Sequence, residues 1–119
     1  MTTDTCVTIV PYFKIKPGCA DAFRALTELF VAKAQTESGC LYYGFSFDGD
    51  MAHCREGYEN AAGLLVHLQN VASLIQEAGQ LAETVTLELH GCAAELDKLR
   101  EPLKDMPAKW FVLENGFRK

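Results

Sequence analysis

Residues 40–60 read CLYYGFSFDGDMAHCREGYEN, and their reading decides the fold. Cys40 to Phe47 is rich in aromatics, the composition of a β-strand. Asp48-Gly49-Asp50 is a tight-turn signal, and Met51 to Tyr58 returns as a second strand, so the stretch predicts a hairpin. Asn60 follows as a good N-cap for a helix.

Upstream of the hairpin, Cys6 to Ile15 is β-branched and aromatic and reads as a strand. Pro11 cannot donate to a ladder, so it belongs at an edge, a bulge or an unpaired position. After Lys16-Pro17-Gly18 the apolar residues Phe23, Leu26, Phe30 and Ala34 recur at helical spacing, so Ala20 to Glu37 reads as a helix stopped by Ser38-Gly39.

Downstream of the hairpin, Ala61, Leu64, Leu65 and Leu68 form one helical stripe. Gln69-Asn70 is a candidate break, beyond which Val71, Leu74, Ile75 and Ala78 continue an apolar face until Gly79 ends it. Glu83 to His90 alternates, with Val85, Leu87 and Leu89 on one side and Thr84, Thr86, Glu88 and His90 on the other. Ala93 to Leu103 reads as a short charged helix with Glu95/Lys98 and Asp97/Arg100 spaced for surface pairs. Trp110 to Phe117 reads as a fifth strand.

The order is β-α-β-β-α-β followed by α-β. The first six elements give an α+β, ferredoxin-like split βαβ plan with an antiparallel sheet and both helices on one face. With 119 residues the chain is expected to form a single domain, its core over about residues 5–91 and a helix–strand extension over 92–119. The strands supply apolar residues to both faces, Val7, Ile9 and Phe13 against Val10 and Tyr12. One helical layer covers one face, so a second sheet is expected on the other, most simply from an identical subunit.

Eleven basic and sixteen acidic residues give a net charge of −5, which speaks against nucleic acid or an anionic membrane as partner. Five cysteines, an odd number without a C-x-x-C spacing, suggest reduced thiols in a cytoplasmic protein rather than disulfides or a zinc site. The first residues, Met1 to Thr5, lack the basic and apolar regions of a leader, so none is expected. No run approaches ~20 apolar residues, so no membrane span is expected. Glycine-rich phosphate loops, the G-x-S-x-G elbow and paired-carboxylate motifs are absent from the sequence.

Four stretches resemble a known family. They are the first strand running into Lys16-Pro17-Gly18 ahead of Phe23, the opening Ser38-Gly39-Cys40-Leu41-Tyr42, the strand end Glu56-Gly57-Tyr58-Glu59-Asn60, and Ala61-Ala62-Gly63-Leu64-Leu65-Val66-His67-Leu68. Together they resemble the antibiotic biosynthesis monooxygenase-like group of the dimeric α+β barrel superfamily, over about residues 5–91. The resemblance implies a homodimer whose sheets pack face to face, with a pocket in each subunit. Its members include cofactor-independent oxygenases of phenolic polyketides, haem-degrading enzymes and isomerases of small sugar phosphates. Aligned on Glu56 and Tyr58, the oxygenases' Asn falls on Cys54, their Trp on Tyr58 and their Tyr on Leu64. The haem-degrading members' proximal His falls on Glu77, and no Asn precedes Asn60, which argues against haem.

Glu56 and Tyr58 share strand parity, so both face one way. A carboxylate in a barrel interior is desolvated and accepts protons near neutral pH, and His67 has the ordinary pKa of a general base. Glu56 and His67 are therefore the candidate catalytic pair, His67 at a pocket mouth on a helix face apart from Leu64 and Leu68. Against this stands a structural His bonded to a carbonyl or carboxylate, and a structural Glu bonded across the sheet or dimer. Tyr12, Tyr42, Cys54, Tyr58 and Leu64 are the candidate substrate contacts. Adjacent Tyr42 and Tyr43 must point to opposite faces. The three histidines show no compact ligand spacing, so no metal is expected, and the resemblance implies chemistry without a cofactor. The function the resemblance implies is binding, and oxidation or isomerisation, of a small phenol or quinone. The alternatives are a non-catalytic binding module and a structural dimer with a filled barrel.

Overall fold

A computed structural model describes residues 4–119; the leader reading at residues 1–3 falls outside them. The elements are β1 (Val7–Ile15), α1 (Ala20–Ala34), β2 (Cys40–Asp48), β3 (Met51–Tyr58), α2 (Ala61–Asn70), α3 (Ala72–Leu81), β4 (Ala82–Gly91), α4 (Ala93–Arg100) and β5 (Lys109–Val112). The sheet order is β2-β3-β1-β4-β5. The first four strands are antiparallel and form the ferredoxin-like sheet, and β5 adds parallel to β4.

Local chemistry sets the turns. Gly49 closes the β2–β3 hairpin at φ 61°, a conformation that costs glycine nothing. The Asn60 side chain accepts from the Gly63 amide at 2.9 Å, and the Glu95 carboxylate of α4 accepts from the Ala61 amide at 2.9 Å. Two side chains thus satisfy orphan amides at the start of α2, one of them from far along the sequence.

Three expectations need correction. The helix does not end at Gly79, because α3 runs through it to Leu81; packing of Leu74 and Ala78 outweighs the modest cost of a helical glycine. The break falls instead at Val71, whose φ of −106° and ψ of 12° turn α2 into α3. The fifth strand stops at Val112, well short of Phe117.

Two bulges matter more than these boundaries. The β1–β4 register shifts between Tyr12 and Phe13, leaving Val85 as the extra residue on β4. Thr84 therefore turns to the helix face, and Val85, which strict alternation groups with Leu87 and Leu89, is exposed. The β2–β3 register shifts between Cys40 and Tyr42, so Leu41 is bulged and Tyr43, not Tyr42, takes the helix face opposite Glu56. Pro11 sits where β1–β3 pairing lapses, so its missing amide leaves no gap in that ladder.

The helix-side core is in two parts. One gathers Val7, Ile9, Tyr58, Leu64 and Leu89 with Leu96 and Leu99 of α4. The other gathers Ile15, Phe23, Phe30, Val71, Leu74 and Ala82. Leu89 is fully buried in the first part. Leu89→Ala is expected to cost about 2–5 kcal/mol, read as a lowered urea midpoint at unchanged slope.

Among the described residues no helix covers the opposite face of the sheet. Val10 and Tyr12 lie on it with His53, Arg55 and Tyr42. Tyr12 stacks on His53 with ring centroids 4.3 Å apart, and His90 stacks on Phe111 at 4.8 Å.

Candidate functional site

A cavity of about 250 Å³ lies in the seam between the two core parts. Ile9, Phe13, Phe45, Cys54 and Glu56 form its sheet wall, and Phe30, His67, Leu68, Val71 and Ile75 its helix wall. The break at Val71 opens this seam, because α2 and α3 pack on different parts of the sheet.

The titratable groups gather at one side of the cavity. Glu56 faces the helices from β3 and is 6% exposed; His67 faces the sheet from α2 and is 2% exposed. His67 Nε2 stands 3.6 Å from Glu56 Oε1, too long for a hydrogen bond. His67 Nδ1 stands 2.9 Å and 3.0 Å from the two carboxylate oxygens of Glu37. Donation to this carboxylate fixes the proton on Nδ1 in the neutral ring and leaves Nε2 with its lone pair toward Glu56. Asn70 also donates to Glu37, at 2.9 Å, and ties the turn after α1 to the end of α2. The Tyr58 hydroxyl donates to Glu56 Oε1 at 2.6 Å. The rings of Tyr43 and Tyr58 flank His67 at 5.0 and 5.1 Å.

Electrostatics follow from burial. Desolvation pushes Glu56 up to about 7, opposed by the bonds from Tyr58 and Cys54 and reinforced by the charge of Glu37. Desolvation also lowers His67, opposed by its bond to Glu37. The Cys54 thiol is raised well above its ordinary range by burial and by Glu56, so it lines the cavity as a thiol, not a thiolate. Among the described residues no lysine or arginine lines the cavity, so an anionic group would enter without a counter-charge.

The structure thus brings Glu56, His67 and Cys54 together on the cavity and sets Tyr58 behind Glu56 as its hydrogen-bond donor. Leu64 is packed in the core beside them, outside the cavity lining. His67 shares the inward face with Leu64 and is enclosed rather than at a mouth. Tyr12 and Tyr42 lie on the other face of the sheet: Tyr12 by simple alternation, Tyr42 because the bulge at Leu41 inverts the alternation that begins at Cys40. The sequence reading missed Glu37 and, of the adjacent pair Tyr42 and Tyr43, chose Tyr42, whereas Tyr43 lines the cavity. An acid just beyond a helix C-terminus is unfavourable for the helix dipole, and that misfit was the available signal for Glu37. Among the described residues no group of three or more His, Cys, Asp or Glu is placed to hold a metal ion.

Comparison with solved structures fits this architecture. The structure superposes on MupZ from Pseudomonas fluorescens with a TM-score of 0.91 and 48% identity, covering 96% of this chain and 94% of that one. A Caulobacter crescentus CB15 protein assigned to the antibiotic biosynthesis monooxygenases matches at TM-score 0.65 and 19% identity, over 72% of this chain and 88% of that one. Rv0793 from Mycobacterium tuberculosis matches at TM-score 0.61 and 24% identity, over 71% and 89%. The last two spans are about the size of the β1–β4 portion, whereas MupZ matches nearly the whole chain. No family model and no curated protein matches. The chain belongs to the family of MupZ, on the antibiotic biosynthesis monooxygenase-like fold.

Proposed function

We propose that the protein is a monooxygenase-like enzyme that binds a small, uncharged aromatic or quinone-type molecule in the cavity of each subunit and transfers a proton to or from it. The observation that carries this is the chain Glu37–His67–Glu56, with its middle and last members on a mostly apolar cavity. A substrate hydroxyl or acidic C–H placed beside Glu56 and His67 Nε2 has a proton acceptor poised near neutral pH. Glu37 holds the imidazole in the orientation and tautomer that this requires. The resulting electron-rich anion is the species that, in the oxygenases this fold resembles, meets dioxygen without an added cofactor.

The open cavity favours ligand binding over a filled structural barrel. The unclothed sheet face, with Tyr12 and Tyr42 exposed, favours a homodimer in which that face packs on its twin. The experiment is oxygen uptake with a panel of hydroquinones and naphthols, alongside titration calorimetry of the same compounds. Uptake that is lost in His67→Ala supports an oxygenase. Binding without uptake or rearrangement supports the non-catalytic reading, and no binding at all removes both.

A further inference from the structure

The cavity has a side with titratable groups and a side without them, where Leu87 and Met106 predominate, and different parts of the chain build the two. Glu56 and Tyr43 stand on β3 and β2, at one side of β1. Thr84 and Leu87 stand on β4, at the other side of β1. Strands β3 and β4 flank β1, so their backbones are about 10 Å apart. A ligand whose polar group meets Glu56 and His67 therefore extends its remainder toward β4.

On that side the wall is completed from outside the β1–β4 portion. Met106, between α4 and β5, lines the cavity and packs with Leu68 and Leu87 against the first core part. Its segment is held in place. The Met106 amide donates to the Leu103 carbonyl at 3.0 Å, and the Met106 carbonyl accepts from Ala108 at 2.8 Å. Prolines stand at 102 and 107. Leu96, Leu99 and Leu103 anchor the segment in the core, Glu95 ties it to the start of α2, and the Arg100 guanidinium lies 4.9 Å from the Trp110 ring centroid. A fixed support with an unbranched, adaptable thioether at its tip is suited to closing an apolar wall.

We propose that Met106 is a specificity-determining residue: it forms the end wall of the cavity and sets how long an apolar arm the ligand carries beyond its polar head. This rests on the reading of the cavity as a small-molecule site. The segment after β4 then acts as a measuring element added to the common fold, and MupZ, which matches nearly the whole chain, spans it too.

A series of 4-alkylphenols, from methyl to octyl, tests this by titration calorimetry on the full chain. Affinity is expected to rise about fourfold with each methylene that finds apolar cover, then to fall once the arm meets Met106. Met106→Ala is expected to move that cut-off to homologues two or three carbons longer. Met106→Phe is expected to move it to shorter ones. Thermal melts of both variants within a few degrees of the parent establish that the fold is retained. A cut-off at the same chain length in all three proteins overturns the role of Met106 while leaving the small-molecule site standing. Failure of every member of the series to bind the parent protein overturns the site and the end wall together.

Discussion

Replacement of Glu56 by glutamine is expected to cut turnover of any hydroquinone that the protein oxidises by about 10²- to 10⁴-fold, the usual worth of a positioned general base. The same substitution is expected to make the protein more stable above neutral pH, a combination that a merely structural carboxylate does not produce. Burial raises Glu56 from 4.5 to about 7. Between those values the folded state holds a proton that the unfolded state has released, so stability falls as pH climbs from 4.5 through 7. Above pH 7 the folded protein carries a buried carboxylate at a cost on the order of 3 kcal/mol. Glutamine has no proton to lose and its side-chain oxygen still accepts from Tyr58. Urea denaturation at pH 8 should find Glu56→Gln the more stable protein, with the advantage shrinking toward pH 5. Parallel curves for the two proteins across this range would falsify the assignment of Glu56 as the desolvated acid.

Glu37→Gln should act through His67. Desolvation lowers His67 and the Glu37 carboxylate opposes it. Without that charge the imidazole titrates still lower, which NMR reads as a downward shift of the His67 Cε1–H titration. The stability consequence lies on the acid side. The unfolded histidine takes up its proton near 6.5 while the buried one resists, so the folded state loses stability as pH falls through 6.5. In Glu37→Gln that loss continues to lower pH and grows. Superimposed on it is a pH-independent loss of about 2 kcal/mol, because a neutral amide serves the His67 and Asn70 donors less well than a carboxylate. Glu37 does not line the cavity, so Glu37→Gln should lower kcat and shift its pH profile while leaving the affinity for a neutral phenol nearly unchanged. An unaltered His67 titration would show that Glu37 only ties α1 to α2.

The two substitutions probe opposite ends of one chain of groups. Residues 37, 56 and 67 come from the turn after α1, from β3 and from α2, and they meet only because the helical layer lies across the hairpin. None is adjacent in sequence, and each has an ordinary structural reading when met alone. Enclosure converts them into a site: the same carboxylate in water would titrate near its ordinary value and hold no proton at neutral pH.

Local patterns determined much of this protein directly. The hairpin over residues 40–58, the Asn60 cap and the helical stripe from Phe23 to Ala34 depend on side-chain period and turn chemistry within a few residues, and these survive translation into three dimensions. The shared parity of Glu56 and Tyr58 was legible for the same reason, and so was the placement of Tyr12 opposite the helices. What only the tertiary structure decided are the two bulges, the break at Val71, the pairing of Glu37 with His67 and the arrival of Met106 at the cavity. A bulge is one unpaired residue whose position depends on the partner strand, yet it inverts every side chain beyond it, as Tyr42 and Thr84 show. The remaining features join residues far apart in sequence, where packing of one surface on another, not periodicity along one element, sets which groups meet.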